Sequence, residues 1–149
     1  MDWITEAKRL FRMEKPEHFT NYRHCEECEE HDQTLIGATL DSIGLEELGN
    51  PGWDPICFAT NEGKKYYMPA LIRLSLETLD NDFYFAQLLF HLEYDGENND
   101  LFLSCSPEQR AFIGSFIEFF VLNHAEALEQ NYSDSEALRA YGIWSKTPE

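Results

Sequence analysis

Apolar positions along this chain recur mainly at helical spacing. Trp3, Ile4, Ala7, Leu10 and Phe11 share one face of a segment whose other face carries Lys8, Arg9 and Arg12, so an amphipathic helix is expected there, capped by Asp2 and ending before Pro16. From about Tyr22 the chain has few helix breakers, which predicts a helix or a turn leading into one, with Asp32 placed to cap Gln33 to Leu40. Gly44 and Gly49 bound a short helical turn over Leu45 to Leu48. The stretch Gly49-Asn50-Pro51-Gly52-Trp53-Asp54-Pro55 concentrates turn formers and predicts a structured loop.

The pattern then changes. Ile56 to Thr60 and Lys64 to Met68 are rich in apolar, β-branched and aromatic residues, and Asn61-Glu62-Gly63 between them has the length and the glycine of a hairpin loop. Pro69 suits the first position of a helix through Ala70, Leu71, Leu74 and Leu76, and a further helix is expected from about Asp82 to Glu93. Asp95 to Asp100 reads as a flexible polar loop. Ser106-Pro107-Glu108-Gln109 combines a capping serine, a first-position proline and a glutamine that can cap back. The long helix it opens carries Phe112, Ile113, Phe116, Ile117, Phe119, Phe120, Val121 and Leu122 around most of its circumference, as a central helix would. Ser133 to Glu136 repeats the capping pattern before a last helix with Ala137, Leu138, Tyr141 and Trp144. The expected fold is therefore mainly α: a single domain, 1–149, built as a helical bundle around a long central apolar helix, with one small β-hairpin.

Composition narrows the class. With 43% hydrophobic and 14% aromatic residues the chain is too apolar for intrinsic disorder, and its 149 residues can bury a core without needing a metal or disulfides. Its 11 basic and 28 acidic residues leave a net charge of −17, which repels phosphate backbones and argues against direct nucleic-acid binding. The same field would attract a basic protein partner or keep a small protein soluble and monomeric, and solubility is the commoner reason for such a charge. No run of 18 apolar residues and no secretory pattern at the amino terminus point to a cytoplasmic protein that does not enter a membrane. The basic residues Lys8, Arg9, Arg12, Lys15 and Arg23 precede the acidic Glu26, Glu27, Glu29, Glu30 and Asp32, so weak pairing between those two segments is expected.

One run carries specific chemistry: His24-Cys25-Glu26-Glu27-Cys28-Glu29-Glu30-His31. In a reducing compartment a Cys-x-x-Cys pair points to metal or redox chemistry, and zinc prefers thiolate and imidazole donors. On a helix His24, Cys28 and His31 would fall in a stripe roughly 60° wide, with Cys25 about 60° further round. His24 and His31 would also stand about 10 Å apart along the axis, so three local donors with a distant fourth, or a kinked start to the helix, fits better than four donors on a regular helix. Cys57, Cys105, His91 and His124 are the distant candidates. The interleaved glutamates disfavour a free thiolate and favour a shared cation, which ranks metal above redox catalysis. The bland alternative is that Cys28 packs as a small hydrophobe and the histidines bond locally. His91-Leu92-Glu93 lacks the Pro-Cys-x-x-Cys that a zinc deaminase requires.

Four segments carry a resemblance: His24-Cys25-x-x-Cys28-x-x-His31-Asp32, Leu48 to Pro55, Tyr66-Tyr67-Met68-Pro69-Ala70-Leu71, and Pro107-Glu108-Gln109-Arg110. In these the chain resembles a family of uncharacterised small bacterial acidic proteins with a His-Cys-x-x-Cys-x-x-His signature. The resemblance implies bacterial origin and a one-domain architecture, and adds no mechanism. The expected function is a non-enzymatic protein-interaction module of inhibitor or immunity type, with a small structural zinc site drawn from Cys25, Cys28, His31 and His24. The competing expectation is a metal-dependent hydrolase using the same site, with Glu27, Glu30 or Asp54 as base. A third is an acidic scaffold without an ion.

Overall fold

The structure is a computed structural model that describes residues 1–146. It is mostly helical, and among the described residues it contains no strand, only one isolated antiparallel bridge between Thr20 and Ala59. The chain gathers into two compact units, Met1–Glu77 and Thr78–Glu149.

In the first unit, α1 (Trp3–Leu10) is capped by the Asp2 carboxylate and turns Ala7 and, just beyond its end, Phe11 inward, both fully or nearly buried. Next come α2 (Glu26–Gly37), the short α3 (Leu45–Leu48) and two 3-10 turns, Pro51–Trp53 and Pro55–Phe58. The unit closes with α4 (Asn61–Glu77), 17 residues long.

α4 replaces the expected β-hairpin. Its local residues favour strand, but Tyr67, Ala70, Leu71 and Leu74 are buried at helical spacing, so packing on one face overrides that preference. The Gly63 expected in a hairpin loop instead lies in the first turn of the helix, where a Cβ would meet Phe19 Cδ1 at 3.0 Å and Phe19 O at 3.1 Å. Its N–H donates to Thr60 Oγ1 at 3.1 Å. Pro69 likewise sits within the helix rather than at its first position. Being buried, it adds to the core, although it cannot give the backbone hydrogen bond of that turn.

Side chains close the carboxyl end of α2. Lys15 Nζ donates to Ile36 O and Ala38 O, each at 2.7 Å, where the helix dipole favours a cation. The Tyr67 hydroxyl donates to Leu35 O and to Ala38 O, and Arg73 donates to Leu40 O and Ile43 O. The basic segment therefore serves other partners than the acidic run expected: Lys15 binds carbonyls, Lys8 faces Asp41 at 3.6 Å and Arg9 pairs with Glu6.

In the second unit, α5 (Phe85–Glu93) is followed by a 3-10 turn at Gly96–Asn98 in place of a flexible loop, and by α6 (Asp100–Ser104), which Asn99 caps. Asp95 and Gly96 both adopt positive φ in that turn. The capping box at Ser106 and Gln109 forms as expected and opens α7 (Pro107–Asn123). α8 (Ala125–Gln130) and α9 (Asp134–Trp144) complete the unit. Phe85 stacks on Phe120 with centroids 3.8 Å apart, Phe116 meets both rings edge-on, and Trp144 Nε1 donates to Leu92 O at 2.8 Å. α7 is not the axis of one bundle. It belongs to this unit alone, matches α4 in length, and leaves Leu122 72% exposed, because its apolar circumference is wider than the surface that covers it.

Candidate metal centre

The chemistry-bearing run straddles the start of α2. His24 ends a turn in which its N–H donates to Asn21 O at 3.0 Å. Cys25 is extended, with φ −165°, and is the cap of the helix: its Sγ accepts from the Cys28 N–H at 3.4 Å, as a capping hydroxyl would. The helix runs from Glu26, so His24 and Cys25 curl back over its first turn instead of lying on its cylinder. Of the two arrangements expected, three local donors with a distant fourth or a kinked helix start, the backbone here has the second feature, a cap residue outside the cylinder.

Three donor atoms converge as a result. Cys25 Sγ lies 3.3 Å from Cys28 Sγ, Cys28 Sγ lies 3.7 Å from His24 Nδ1, and all three fall within 4.8 Å of one another. His24 and Cys25 are exposed while Cys28 is only 7% exposed, so the cluster opens to solvent on one side. Behind it, Thr20 Oγ1 donates to Cys28 O at 2.7 Å and holds the turn in place. The arrangement is geometrically able to hold a metal ion. A tetrahedral ion with Zn–S bonds near 2.3 Å would hold two sulfurs roughly 3.8 Å apart, so small side-chain rotations suffice.

The two thiols differ. Donation from the Cys28 N–H, then from the Cys28 thiol and His24, holds the Cys25 thiol below its ordinary value, whereas the Cys25 sulfur and then burial push Cys28 up. The interleaved glutamates disfavour a thiolate. At Cys25 the donors within hydrogen-bond reach outweigh them.

His31 is not in the cluster. It is fully buried, its ring 4.5 Å from that of Trp53 and stacked at 4.6 Å on that of Phe58. Neither ring nitrogen makes a hydrogen bond, and Glu27 Oε1 lies 3.5 Å from Nε2 without the alignment of one. Among the described residues, none of Cys57, Cys105, His91 and His124 joins the cluster of His24, Cys25 and Cys28. Cys57 is instead an exposed residue whose thiol is pushed up to about 11, chiefly by enclosure and then by Asp54.

One polar centre has no local signal in the chain. Asp32, expected as a helix cap, lies inside α2 and is fully buried. It accepts from the Phe19 N–H at 2.6 Å, the Thr20 N–H at 3.1 Å and His18 Nδ1 at 2.7 Å. His18 in turn stacks on Tyr22, with centroids 3.8 Å apart. Asp32 thus ties down the segment that leads into the cluster, and no local spacing signals a bond across 14 residues.

No protein-family model, curated protein or solved structure matches the chain. No helix among the described residues is long and apolar enough to cross a membrane.

Proposed function

We propose that this chain is an acidic, non-enzymatic partner-binding protein of the cytoplasm with a small zinc site at the start of α2. The observation that carries the metal half is the convergence of Cys25, Cys28 and His24 on one point, two sulfurs and an imidazole in an acidic surround. When bound, the ion would draw the loop from Asn21 onto the helix and fix the amino-terminal half. His31, the remaining candidate, supports the fold through its rings instead. A zinc ion held by these three donors would take any fourth ligand from water or from a donor outside the cluster.

Charge supports the partner half. Residues 78–149 hold three basic residues against thirteen acidic ones. All three cations are committed within the fold: Arg110 to Phe102 O and Leu103 O, Arg139 to Glu93 and Glu136, and Lys146 to Glu97. The remaining acidic surface suits a basic protein of the kind that inhibitor and immunity proteins meet, and it repels nucleic acid.

Elemental analysis of protein purified without added metal tests the site directly. Zinc near one equivalent, lost in Cys25→Ser and in Cys28→Ser, is the expected result; metal-free protein that takes up no zinc when titrated would remove it.

The three-donor count favours one second reading, a metal-dependent hydrolase with an open coordination position. Of its three possible bases, Asp54 is buried and accepts from the Ile56 N–H, and Glu27 faces His31, which leaves Glu30 the least committed. Zinc-dependent turnover of simple esters or phosphoesters, abolished by Cys25→Ser, would select it over the interaction module.

A further inference from the structure

We propose that Cys25 and Cys28 are also a dithiol that exchanges with low-molecular-weight disulfides, and that the disulfide so formed excludes the metal. The metal half of this inference rests on the zinc site proposed above; the thiol chemistry does not.

The geometry separates the two sulfurs into roles. Cys25 stands exposed at the helix start with the Cys28 N–H aimed at its Sγ, so it is the sulfur that an external disulfide can reach. Cys28 is 7% exposed and cannot meet that reagent first, but its Sγ is 3.3 Å from Cys25 Sγ, already close to the roughly 2.05 Å of a formed bond. A cap and a residue one turn inside the same helix can close that gap by side-chain rotation, leaving α2 in place.

The reaction balances as two exchanges. Cys25 thiolate attacks one sulfur of a small disulfide, forming a mixed disulfide and expelling one thiolate. Cys28 then attacks Cys25 Sγ, the bond to the small thiol breaks, and a second thiolate leaves. The Cys28 proton goes to the departing thiolate, and His24 Nδ1 lies 3.7 Å from Cys28 Sγ. Two protein thiols are oxidised and one small disulfide is reduced to two thiols. Because both sulfurs are metal donors, the product keeps only His24 of the three and cannot hold zinc as the dithiol does. Zinc on the dithiol in turn withholds both nucleophiles, so ion and oxidant compete for one site.

The full-length protein, reduced and metal-free, is incubated with glutathione disulfide and followed by intact mass and residue-resolved alkylation, with Cys57→Ser run in parallel to remove the other exposed thiol. The wild type should lose two hydrogen masses with Cys25 and Cys28 both protected, Cys28→Ser should stop at a glutathione adduct on Cys25, and Cys25→Ser should form no adduct on Cys28. Prior zinc should slow the wild-type reaction, and the oxidised protein should lose zinc uptake. A wild type that stays reduced, or that stops at the mixed disulfide, overturns the dithiol; an oxidised protein that still takes up zinc as the reduced one does overturns the competition. Reduced protein that never binds zinc while still forming the disulfide would sink the metal reading alone.

Discussion

Asp32 holds His18 Nδ1 at 2.7 Å while its other oxygen accepts the backbone N–H groups of Phe19 and Thr20, so one buried carboxylate of α2 organises the chain that leads to the cluster of His24, Cys25 and Cys28. Removing it would strand two buried N–H groups. Asp32→Ala should cost on the order of 3 kcal/mol or more, since hydrogen bonds to a charged group are each worth about 1.5–3 kcal/mol, and Asp32→Asn should cost less because it keeps one acceptor. Urea unfolding of both variants checks the order.

Zinc should raise the unfolding temperature of the reduced protein. At a hundredfold excess over Kd the gain is about 2.7 kcal/mol. His24→Ala should weaken the shift and Cys25→Ser and Cys28→Ser should abolish it, whereas His31→Ala should destabilise the protein yet preserve the zinc-dependent shift, because His31 packs on Trp53 and Phe58 outside the cluster. Thermal scans with and without zinc separate these outcomes.

Tyr67 predicts an alkaline limit. Burial first, then Tyr66 and Glu47, raise the pKa of its phenol above the ordinary value of 10.0. A group raised in the folded state contributes its full stability below the unfolded pKa and loses it as pH rises from there toward the folded one. Above about pH 10 stability should therefore fall by up to about 1.4 kcal/mol per pH unit from this residue, and Tyr67→Phe should remove that slope at a cost of about 1 kcal/mol from its lost bonds. Denaturant midpoints at pH 9 to 11 would show it, those pH values being chosen about the unperturbed phenol.

Two glycines should respond oppositely to alanine. At Gly114 a Cβ would meet Trp144 O at 2.9 Å, a backbone atom that cannot swing aside, so Gly114→Ala should destabilise by about 1–3 kcal/mol. At Gly37, in the last turn of α2, nothing lies within 4 Å, and Gly37→Ala should be stabilising by about 0.4–1 kcal/mol through the unfolded chain. Thermal midpoints of the pair give the sign.

Much of this was legible in the chain itself. Short-range chemistry determined the caps at Asp2 and Ser106, the turns at Pro51 and Pro55 and the helical class, because each depends on a few neighbouring residues and on hydrogen bonds closed within one turn. The Cys-x-x-Cys spacing marked the two thiols, but on a regular helix it sets Cys25 about 60° round from Cys28, and what joins the sulfurs is the extended cap conformation of Cys25. Tertiary structure decided what depends on distant surfaces. It made Lys64 to Met68 helical because Tyr67 is buried at helical spacing with Ala70, Leu71 and Leu74, which overrides the local preference of Lys64 to Met68 for strand. It also drew His31 away from the sulfurs between the rings of Trp53 and Phe58, and delivered Asp32 to His18, because those partners come from residues far along the chain whose approach no local period encodes.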